Sequence, residues 1–501
     1  MKKEVAVMNK FLKIHKNDNV VVAMDDLAAG TVINVDGEEI VLSGDVKRAH
    51  KIAISPIKAG EKAIKYGYPI GIAKQDIAKG DWVHVHNIKT GLGEILDYKY
   101  EPSLNNIPPQ KPRTFKGFVR TNGDVGIRNE IWIIPTVGCV NSNARVIAEK
   151  AKELVKDKCD GVFYFGHPFG CSQMGDDQLT TQKLLAALVN HPNAAAVLVL
   201  GLGCENNNIK VFKNFLGDID ENRVKFLVCQ DVEDEIEEDV KIIEQLADYA
   251  STFKRQEVPV SKLTVGLKCG GSDGFSGITA NPLVGRFSDM LIAQGGSSIL
   301  TEVPEMFGAE TILMNRCKDK ETFDKTVNLI NSFKDYFIKH EQVVYENPSP
   351  GNKDGGISTL EDKSLGCTQK GGDSTVVDVL DYAQRVVTPG LNLLKSPGND
   401  LVAATALSAS GAHLILFTTG RGTPFGAPAP TVKISTNTPL YNKKGSWIDF
   451  NAGPIAEGIS IDDLANELFE YIIKLASGEI KTKTEINNFR EISIFKDGVV
   501  L

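Results

Sequence analysis

The sequence predicts an α/β protein in which a small β-rich N-terminal domain precedes a larger body of βα units with a mostly parallel sheet. Short runs rich in valine and isoleucine, such as NVVVAM, TVINV, EIVLSG and KIAIS, fill the first hundred residues. A proline-rich segment follows them. Beyond that segment, apolar runs of strand length alternate with glycine-rich turns and helical patterns, which is typical of βα units.

The N-terminal β domain is predicted over residues 1–100. Three related segments, DLAAGTVI, PIKAGEKAI and DIAKGDWVHV, each place a glycine just before a strand-like run. A glycine there is expected to occupy a turn position with positive φ, because it lacks the Cβ that makes this conformation costly. Residues 101–113 contain four prolines and few strong apolar residues, so they are predicted to form an extended linker.

Two α/β domains are predicted after the linker, over residues 114–255 and 256–501. The segments EIWIIPTVGCVNSNARVIAEKAKELV, GVFYFGHPFGCSQMGDDQLTTQKLLAALV, AAAVLVLGLGCENNNIKVFKNFL and KLTVGLKCGGSDGFSGITANPLVGRFSDMLI each read as strand, glycine turn and helix. Ligands of such sheets bind at the carboxyl ends of the strands. The glycine turns are therefore the predicted functional edge.

The bulk composition excludes several classes of protein. The chain has 501 residues, a net charge of −8 and no basic run, which argues against a nucleic-acid partner. No apolar stretch has the length of a membrane span, and the first residues lack the apolar core of a signal peptide. The eight cysteines include no C-x-x-C spacing, which argues against a disulfide scaffold and favours a reducing cytoplasm. No P-loop or G-x-G-x-x-G motif is present.

Five of the eight cysteines directly follow a glycine or precede one at a turn, unlike buried cysteines with apolar neighbours. They are Cys139, Cys171, Cys204, Cys269 and Cys367. We expect none of them to be disulfide-bonded and at least two to converge on one cleft as metal ligands. A single ion ranks first; three of them could instead hold an iron–sulfur cluster, although their spacing matches no standard cluster run. The remaining three, Cys159, Cys229 and Cys317, are expected to be packing residues.

Other candidate ligands are scattered along the chain. His84 and His86 lie at i and i+2 of a predicted strand, so both rings point to one face and could bind one metal; a pair of exposed strand histidines is the alternative. Arg128 and Asn129 precede a buried strand and could bind a carboxylate, or form a structural salt bridge. A long stretch rich in glycine, proline and polar residues, 347–372, is predicted to be a functional loop.

At these same positions the sequence resembles the altronate/galactarate dehydratase family. The motifs that carry the resemblance include NGDVGIRNE, PTVGCVN, GCSQMGDD, GLGCENN, GGSDGFSGITANPLVGRFSD, TEVPEMFGAE, TLEDKSLGCTQK and TTGRGTPFG. The resemblance runs from about residue 11 to the end, and the first hundred residues resemble the SAF domain of that family. It implies a metal-dependent sugar-acid hydro-lyase, with Fe²⁺ or another divalent ion such as Mn²⁺, that converts D-altronate to 2-dehydro-3-deoxy-D-gluconate.

The implied chemistry suggests roles for several residues. A metal that binds the carboxylate and the 2-hydroxyl would stabilise the enediolate formed when a base removes the C2 proton, and an acid would protonate the departing 3-hydroxyl. The candidates for acid and base are His167, Glu205 and Asp273, and those for substrate binding are Arg128, Asn129, Lys363 and Arg421. Galactarate dehydration, sulfolactate cleavage and a non-catalytic sugar-acid or metal-binding role remain alternatives. A homo-oligomer acting on a small molecule is expected.

Overall fold

The computed structural model describes residues 10–93 and 96–498. The N-terminal region is built only of short strands and turns. Its strands are β1 (Phe11–Leu12), β2 (Val20–Ala23), β3 (Val32–Val35), β4 (Glu38–Val41), β5 (Lys51–Ala53), β6 (Lys62–Lys65), β7 (Tyr68–Ala73), β8 (Trp82–Val83) and β9 (Ile88–Lys89). They form an antiparallel sheet in the order β1-β2-β5-β8, a β3-β4 hairpin and a second antiparallel sheet, β6-β7-β9. The predicted β-rich N-terminal region is confirmed.

The recurrent glycine turns have the predicted backbone conformation. Gly30, Gly60 and Gly80 have φ angles of +77°, +88° and +92°. Each reverses the chain just before a strand, where a residue with a Cβ would be strained.

The proline-rich segment has no helix or strand from residue 96 to residue 113. It runs along the C-terminal part of the chain, because the Tyr98 hydroxyl donates to Glu310 Oε1 at 2.6 Å and the Tyr100 hydroxyl donates to the Cys317 carbonyl at 2.7 Å.

The central part of the chain, here called the middle unit, begins with β10 (Thr114–Val119) and ends with β16 (Arg255–Pro259). Between them lie β11 (Val125–Gly126), β12 (Glu130–Pro135), α1 (Asn141–Ala151), β13 (Val162–Tyr164), α2 (Gly175–Val189), β14 (Ala194–Gly201), α3 (Ile209–Phe212), β15 (Val224–Val228) and α4 (Glu235–Ser251). Strands β13-β12-β14-β15 form a parallel sheet, the middle sheet, while β11-β10-β16 form an antiparallel one. Strand β16 crosses the boundary predicted at residue 255.

The described residues after β16 form the large unit around a seven-stranded parallel sheet, the large sheet, in the order β19-β20-β18-β17-β21-β22-β23. Its strands are β17 (Thr264–Cys269), β18 (Ser297–Leu300), β19 (Val376–Leu380), β20 (Leu391–Leu394), β21 (Leu414–Thr419), β22 (Thr431–Ser435) and β23 (Phe450–Asn451). Its helices are α5 (Ala280–Ile292), α6 (Glu310–Met314), α7 (Lys320–Lys339), α8 (Pro350–Asp354), α9 (Leu360–Cys367), α10 (Asp400–Ala409), α11 (Thr438–Lys443), α12 (Ile461–Ala476) and α13 (Lys483–Ile486). The predicted α/β class is therefore confirmed.

The stretch 347–372 differs from the predicted loop, because it contains α8 and α9. The Thr359 side chain accepts a hydrogen bond from the Asp362 backbone N–H and so caps α9, and Glu361 and Asp362 in the first turn suit the positive end of the helix. These N-terminal signals outweigh the glycine at position 366. Among the described residues, no helix is both long and apolar enough to cross a membrane.

Asp239 in α4 provides a test of stability in the middle unit. It is fully buried, and neither carboxylate oxygen accepts a hydrogen bond from a described group. Burial, together with the charge of Glu235, raises the pKa of Asp239 to about 7. The folded state therefore holds a proton that the unfolded state releases above about pH 4, so this group lowers the free energy of unfolding as the pH rises from about 4 to 7.

We expect Asp239→Asn to raise the unfolding temperature above pH 7 and to leave it nearly unchanged at pH 4. The expected gain in the free energy of unfolding is on the order of 1.4 kcal/mol for each pH unit that separates the folded from the unfolded pKa of Asp239. Thermal unfolding across this pH range checks it, with Asp335→Asn on an exposed helical position as the control. A difference between Asp239→Asn and the parent protein that does not grow with pH would contradict the account.

Candidate metal centre

The candidate site lies where the order of strands in the large sheet reverses. From β17 the chain continues to β18 on one side of the sheet, and the later strand β21 pairs with β17 on the other side. A crevice opens at such a switch point, outside the carboxyl ends of the strands, and it is the usual ligand site of a parallel sheet. Cys269 is the last residue of β17 and stands at this point.

Two cysteines and one glutamate converge there. Cys269 Sγ lies 3.4 Å from Cys367 Sγ, and both sulfurs are 3.2 Å from Glu305 Oε2. All three side chains are buried, and both cysteines are free thiols. Cys367 arrives as the last residue of α9, and Glu305 follows β18. Their three ligand atoms lie within 4.8 Å of one another, which suits binding of one metal ion.

Buried lysines surround these ligands. Lys363 Nζ is 2.8 Å from Glu305 Oε1, and Lys370 Nζ donates to Cys269 Sγ at 2.9 Å. Burial opposes the charged form of Glu305, but the ammonium groups of Lys363 and Lys268 outweigh it and hold the pKa of Glu305 well below its usual range. The hydrogen bond with Cys269, together with burial, raises the pKa of Cys367. The glutamate is therefore an anion and Cys367 a thiol in the metal-free site.

Glu302 connects the lysines to the strand end. Its carboxylate forms ion pairs with Lys268 and with Lys370 (3.1 Å), and it accepts the Cys269 backbone N–H at 3.0 Å. Glu302 has φ 69° and ψ 57°, a left-handed conformation that is uncommon for a residue with a side chain. Such strain persists only where the surroundings fix it, and it concentrates at functional sites.

The donor set fits a divalent cation chemically. Thiolates favour borderline-to-soft ions such as Fe²⁺ and Zn²⁺, and a carboxylate broadens the choice to harder ions. Binding would release the thiol proton of Cys367. The site is therefore compatible with a metal, and its residues leave the metal's identity open.

A small polar cavity adjoins Cys367. Its lining includes Lys65, Tyr66, Asp273, Asn281, Asp362 and Lys363. The first two belong to the N-terminal β region, so this region closes the cavity against the large unit. Lys51 and Lys65 bind Asp362 of α9 at 2.8 and 3.1 Å, and all three side chains are buried.

Glycines of the large unit permit this close approach. A Cβ on Gly274 would lie 2.1 Å from the Ala49 carbonyl oxygen, and one on Gly277 would lie 2.3 Å from the Tyr66 hydroxyl. The glycines of the GGSDGFSG segment therefore serve the contact with the N-terminal region as well as the turn after β17.

Two of the other predicted site residues line or adjoin this cavity, and one is exposed nearby. Asp273 accepts hydrogen bonds from Thr436 Oγ1 at 2.9 Å and Ser276 Oγ at 3.2 Å, and burial raises its pKa. Lys363 contacts Glu305, as described. Arg421 is exposed. It lies beside the turn after β17, because a Cβ added to Gly271 would be 3.2 Å from the Arg421 Cβ.

The two predicted histidine ligands differ in environment. His84 is buried, and its ring lies 4.9 Å from that of His50, whose Nε2 is 3.3 Å from the Asp354 carbonyl of the large unit. Burial, with the nearby charge of Lys51, lowers the pKa of His84 to about 3, and its Nδ1 has no hydrogen-bond partner among the described groups. His86 is exposed. Neither belongs to the Cys269–Glu305–Cys367 group.

His167 and Glu205 lie at the middle sheet. His167 Nε2 is 2.8 Å from the Pro135 carbonyl, and its Nδ1 accepts the Phe169 N–H at 3.2 Å. The Glu205 carboxylate accepts the Thr136 hydroxyl at 2.6 Å and the Gly203 N–H at 2.6 Å. Both side chains hold loops of the middle unit together.

Arg128 and Asn129 are also engaged in structural contacts. Arg128 Nε pairs with Glu485 Oε1 at 2.7 Å, and Asn129 Nδ2 donates to the Ala250 carbonyl at 2.9 Å. Both residues are buried, so the structure matches the salt-bridged alternative for Arg128.

The remaining predicted cysteine ligands, Cys139, Cys171 and Cys204, are exposed at the edge of the middle sheet and are not grouped with Cys269 and Cys367. Of the cysteines expected to pack, Cys317 is buried, whereas Cys159 and Cys229 are half-buried.

The sequence interpretation missed Glu302, Glu305 and Lys268, and it missed Lys51 and Lys65 of the N-terminal region. Glu302 and Glu305 do follow a strand-like run, SSIL, within the motif TEVPEMFGAE. Charged residues directly after a buried strand were the available signal.

Comparisons with known proteins agree with this architecture. Three family descriptions match in series: "Altronate/galactarate dehydratase SAF domain" at residues 9–91, "D-galactarate dehydratase/Altronate hydrolase, second domain" at 117–251, and "D-galactarate/Altronate dehydratase, C-terminal" at 260–500. The chain is 54% identical to altronate dehydratase of Escherichia coli (strain K12) over 98% of this chain and 100% of the relative. It is 55% identical to altronate dehydratase of Bacillus subtilis (strain 168), over 99% and 100%. It is 33% identical to galactarate dehydratase (L-threo-forming) of E. coli K12, over 94% of each chain.

The α/β body, the SAF region and the full-length relatives define an enzyme of the hydro-lyase class. The chain belongs to the D-galactarate/altronate dehydratase family.

Proposed function

We propose that this enzyme dehydrates D-altronate to 2-dehydro-3-deoxy-D-gluconate with the help of a divalent metal, Fe²⁺ in first place and Mn²⁺ in second. The observation that carries the substrate is the identity of 54–55% over the full length of two altronate dehydratases, against 33% for galactarate dehydratase. Galactarate and sulfolactate are the alternatives within this class of substrate.

Cys269, Cys367 and Glu305 would hold the metal, which when bound supplies Lewis acidity next to a carboxylate and a hydroxyl of the substrate. Lys363 Nζ, 2.8 Å from Glu305 Oε1, places positive charge beside the candidate metal ligands, where it can attract the substrate carboxylate. The N-terminal region covers the small cavity beside Cys367 through Lys65 and Tyr66.

Asp273 is the proposed proton donor to the departing 3-hydroxyl. Its pKa is raised by burial, so a larger fraction of the carboxyl keeps its proton than in water, and it lines the cavity beside Cys367. The hydroxyls of Thr436 and Ser276 orient it.

The test is a substrate panel with anaerobically purified protein. After reconstitution with Fe²⁺ or Mn²⁺ in the presence of a thiol, we expect D-altronate to yield a 2-keto-3-deoxy acid, with galactarate and sulfolactate turned over far more slowly. Protein that binds the metal in a 1:1 ratio but leaves altronate unchanged would contradict the proposal. Tight binding of altronate without turnover would instead support a non-catalytic role.

The assembly and location of the enzyme stay predictions. We expect a cytoplasmic homo-oligomer, and light scattering coupled to size exclusion gives the number of chains.

A further inference from the structure

A second group of cysteines lies at the carboxyl ends of three neighbouring strands of the middle sheet. Cys171, Cys139 and Cys204 follow β13, β12 and β14, which are adjacent in the sheet order. Pro135 of β12 and Leu200 of β14 lie opposite each other in the sheet. Cys139 is four residues beyond Pro135, and Cys204 is four residues beyond Leu200. Neighbouring strands are about 4.8 Å apart, so the loops that carry these two cysteines begin side by side.

Hydrogen bonds next to each cysteine join the three loops. The Gly138 N–H donates to the Phe169 carbonyl at 2.9 Å, which connects the loop of Cys139 to that of Cys171. The Ser172 N–H donates to Asn206 Oδ1 at 2.9 Å, which connects the loop of Cys171 to that of Cys204. The three thiols therefore belong to one built surface.

The backbone of this surface is held in unusual conformations. Gly170 has φ +104°, and a Cβ there would lie 2.1 Å from the Thr136 carbonyl oxygen. Ser172 has φ +58°, which is uncommon for a residue with a side chain. Both residues flank Cys171 and bring its loop against the loop that carries Cys139.

Three sulfurs are the candidate donors at this surface. Cys139, Cys171 and Cys204 are exposed free thiols. The nearby His167 and Glu205 use their polar atoms within the loops, as described above, and are buried. An all-sulfur donor set favours Fe–S clusters, Zn²⁺ or Cu⁺ over the harder cations.

We propose that Cys139, Cys171 and Cys204 bind a [4Fe–4S] cluster, one sulfur to each of three irons, with the fourth iron left without a cysteine. Each thiol gives up its proton to solvent on binding iron. This site is separate from the Cys269–Glu305–Cys367 site and does not depend on the proposed substrate.

Geometry distinguishes a cluster from a single ion. Sulfurs on one ion must approach closely, yet these three thiols do not form a group within 4.8 Å among the described residues, whereas Cys269, Glu305 and Cys367 do. A cluster spreads its cysteines over different irons and so needs a wider spacing. A structural zinc site would need a fourth protein ligand, because such sites are four-coordinate. The next strand, β15, is followed by Cys229, but that residue is half-buried and packs against the core.

The test is iron and acid-labile sulfide analysis of the whole protein after anaerobic purification and reconstitution with Fe²⁺, Fe³⁺ and sulfide, in which the ferric ions supply the two oxidised irons of the cluster. We expect about four irons and four sulfides per chain, in addition to any ion at the other site, and an electron paramagnetic resonance signal after reduction. Cys139→Ser, Cys171→Ser and Cys204→Ser should each lose most of the sulfide. Cys159→Ser in the same unit and Cys269→Ser in the large unit should keep it.

Alkylation of the unsubstituted protein supplies a measurement that needs no variant. The cluster should protect Cys139, Cys171 and Cys204 from iodoacetamide, and removal of iron by a chelator should expose them together in the mass spectrum. Absence of sulfide after reconstitution, zinc as the bound metal, or full sulfide content in the three variants would each overturn the proposal. Loss of altronate turnover in Cys269→Ser with the cluster intact would separate the two sites.

Discussion

Cys367→Ser is expected to lose the divalent metal and to reduce dehydration by more than about 100-fold, since even residues that merely support a metal ligand change affinity or activity 10- to 100-fold. A serine hydroxyl is a harder and far less acidic donor than a thiol, so it cannot replace the thiolate beside Cys269. Glu305→Gln should have the same effect, because it removes the negative charge that lies 3.2 Å from both sulfurs. Metal analysis of the desalted protein and initial rates with D-altronate check both variants.

Cys317→Ser is the matched control. Cys317 is as buried as Cys367, but its sulfur contacts Thr326 Oγ1 at 3.3 Å, away from the candidate ligands. Its variant should keep the metal and the rate. If Cys367→Ser also keeps both, the two thiols do not hold the catalytic metal, and the close sulfurs serve packing alone.

The fold class could be predicted because local patterns carry it. Apolar runs of strand length, each followed by glycine and a helical pattern, identify βα units without knowledge of their neighbours. The positive φ angles of Gly30, Gly60 and Gly80 follow from the same local logic. The stretch 347–372 misled the prediction, because its glycines and prolines hid a capped helix, α9, that brings Cys367 to the site.

Part of the site could be found in the same way. The glycine beside Cys269 and Cys367 marked both residues, yet the sequence could not show that these two would meet and that Cys139, Cys171 and Cys204 would lie on another sheet. Which strands share a sheet is a property of long-range packing. The carboxylate of Glu305 had one local marker, its place after the strand-like run SSIL, and that marker does not show which other residues it meets.

The lysines were the hardest to predict. Lys51 and Lys65 alternate with apolar residues on short strands, where lysine is normally solvent-exposed. They are buried because the N-terminal region docks on Asp362 of the large unit. The charge balance of a buried ionic cluster depends on this contact between regions far apart in sequence.

Glu302→Gln is expected to destabilise the large unit by about 3–5 kcal/mol, the cost of removing one partner from a buried ion pair. Glu302, Lys268 and Lys370 are all buried, and the substitution would leave both ammonium groups without their shared carboxylate. Lys268 keeps Asp400 at 2.9 Å, which compensates only in part because Asp400 is one-third exposed. Urea unfolding followed by circular dichroism at neutral pH measures the loss.

Asp324→Asn is the control for charge removal alone. Asp324 pairs with Lys320 on the surface of α7, where such pairs contribute about 0–1 kcal/mol, so this variant should unfold close to the parent protein. Adding Lys268→Met to Glu302→Gln should recover part of the lost stability, because it removes one buried charge that has lost its partner. If Glu302→Gln unfolds at the same urea concentration as the parent protein, the lysines are neutral or hydrated in the folded state. The positive charge assigned to this cluster would then be wrong, and with it the electrostatic cause of the low pKa of Glu305.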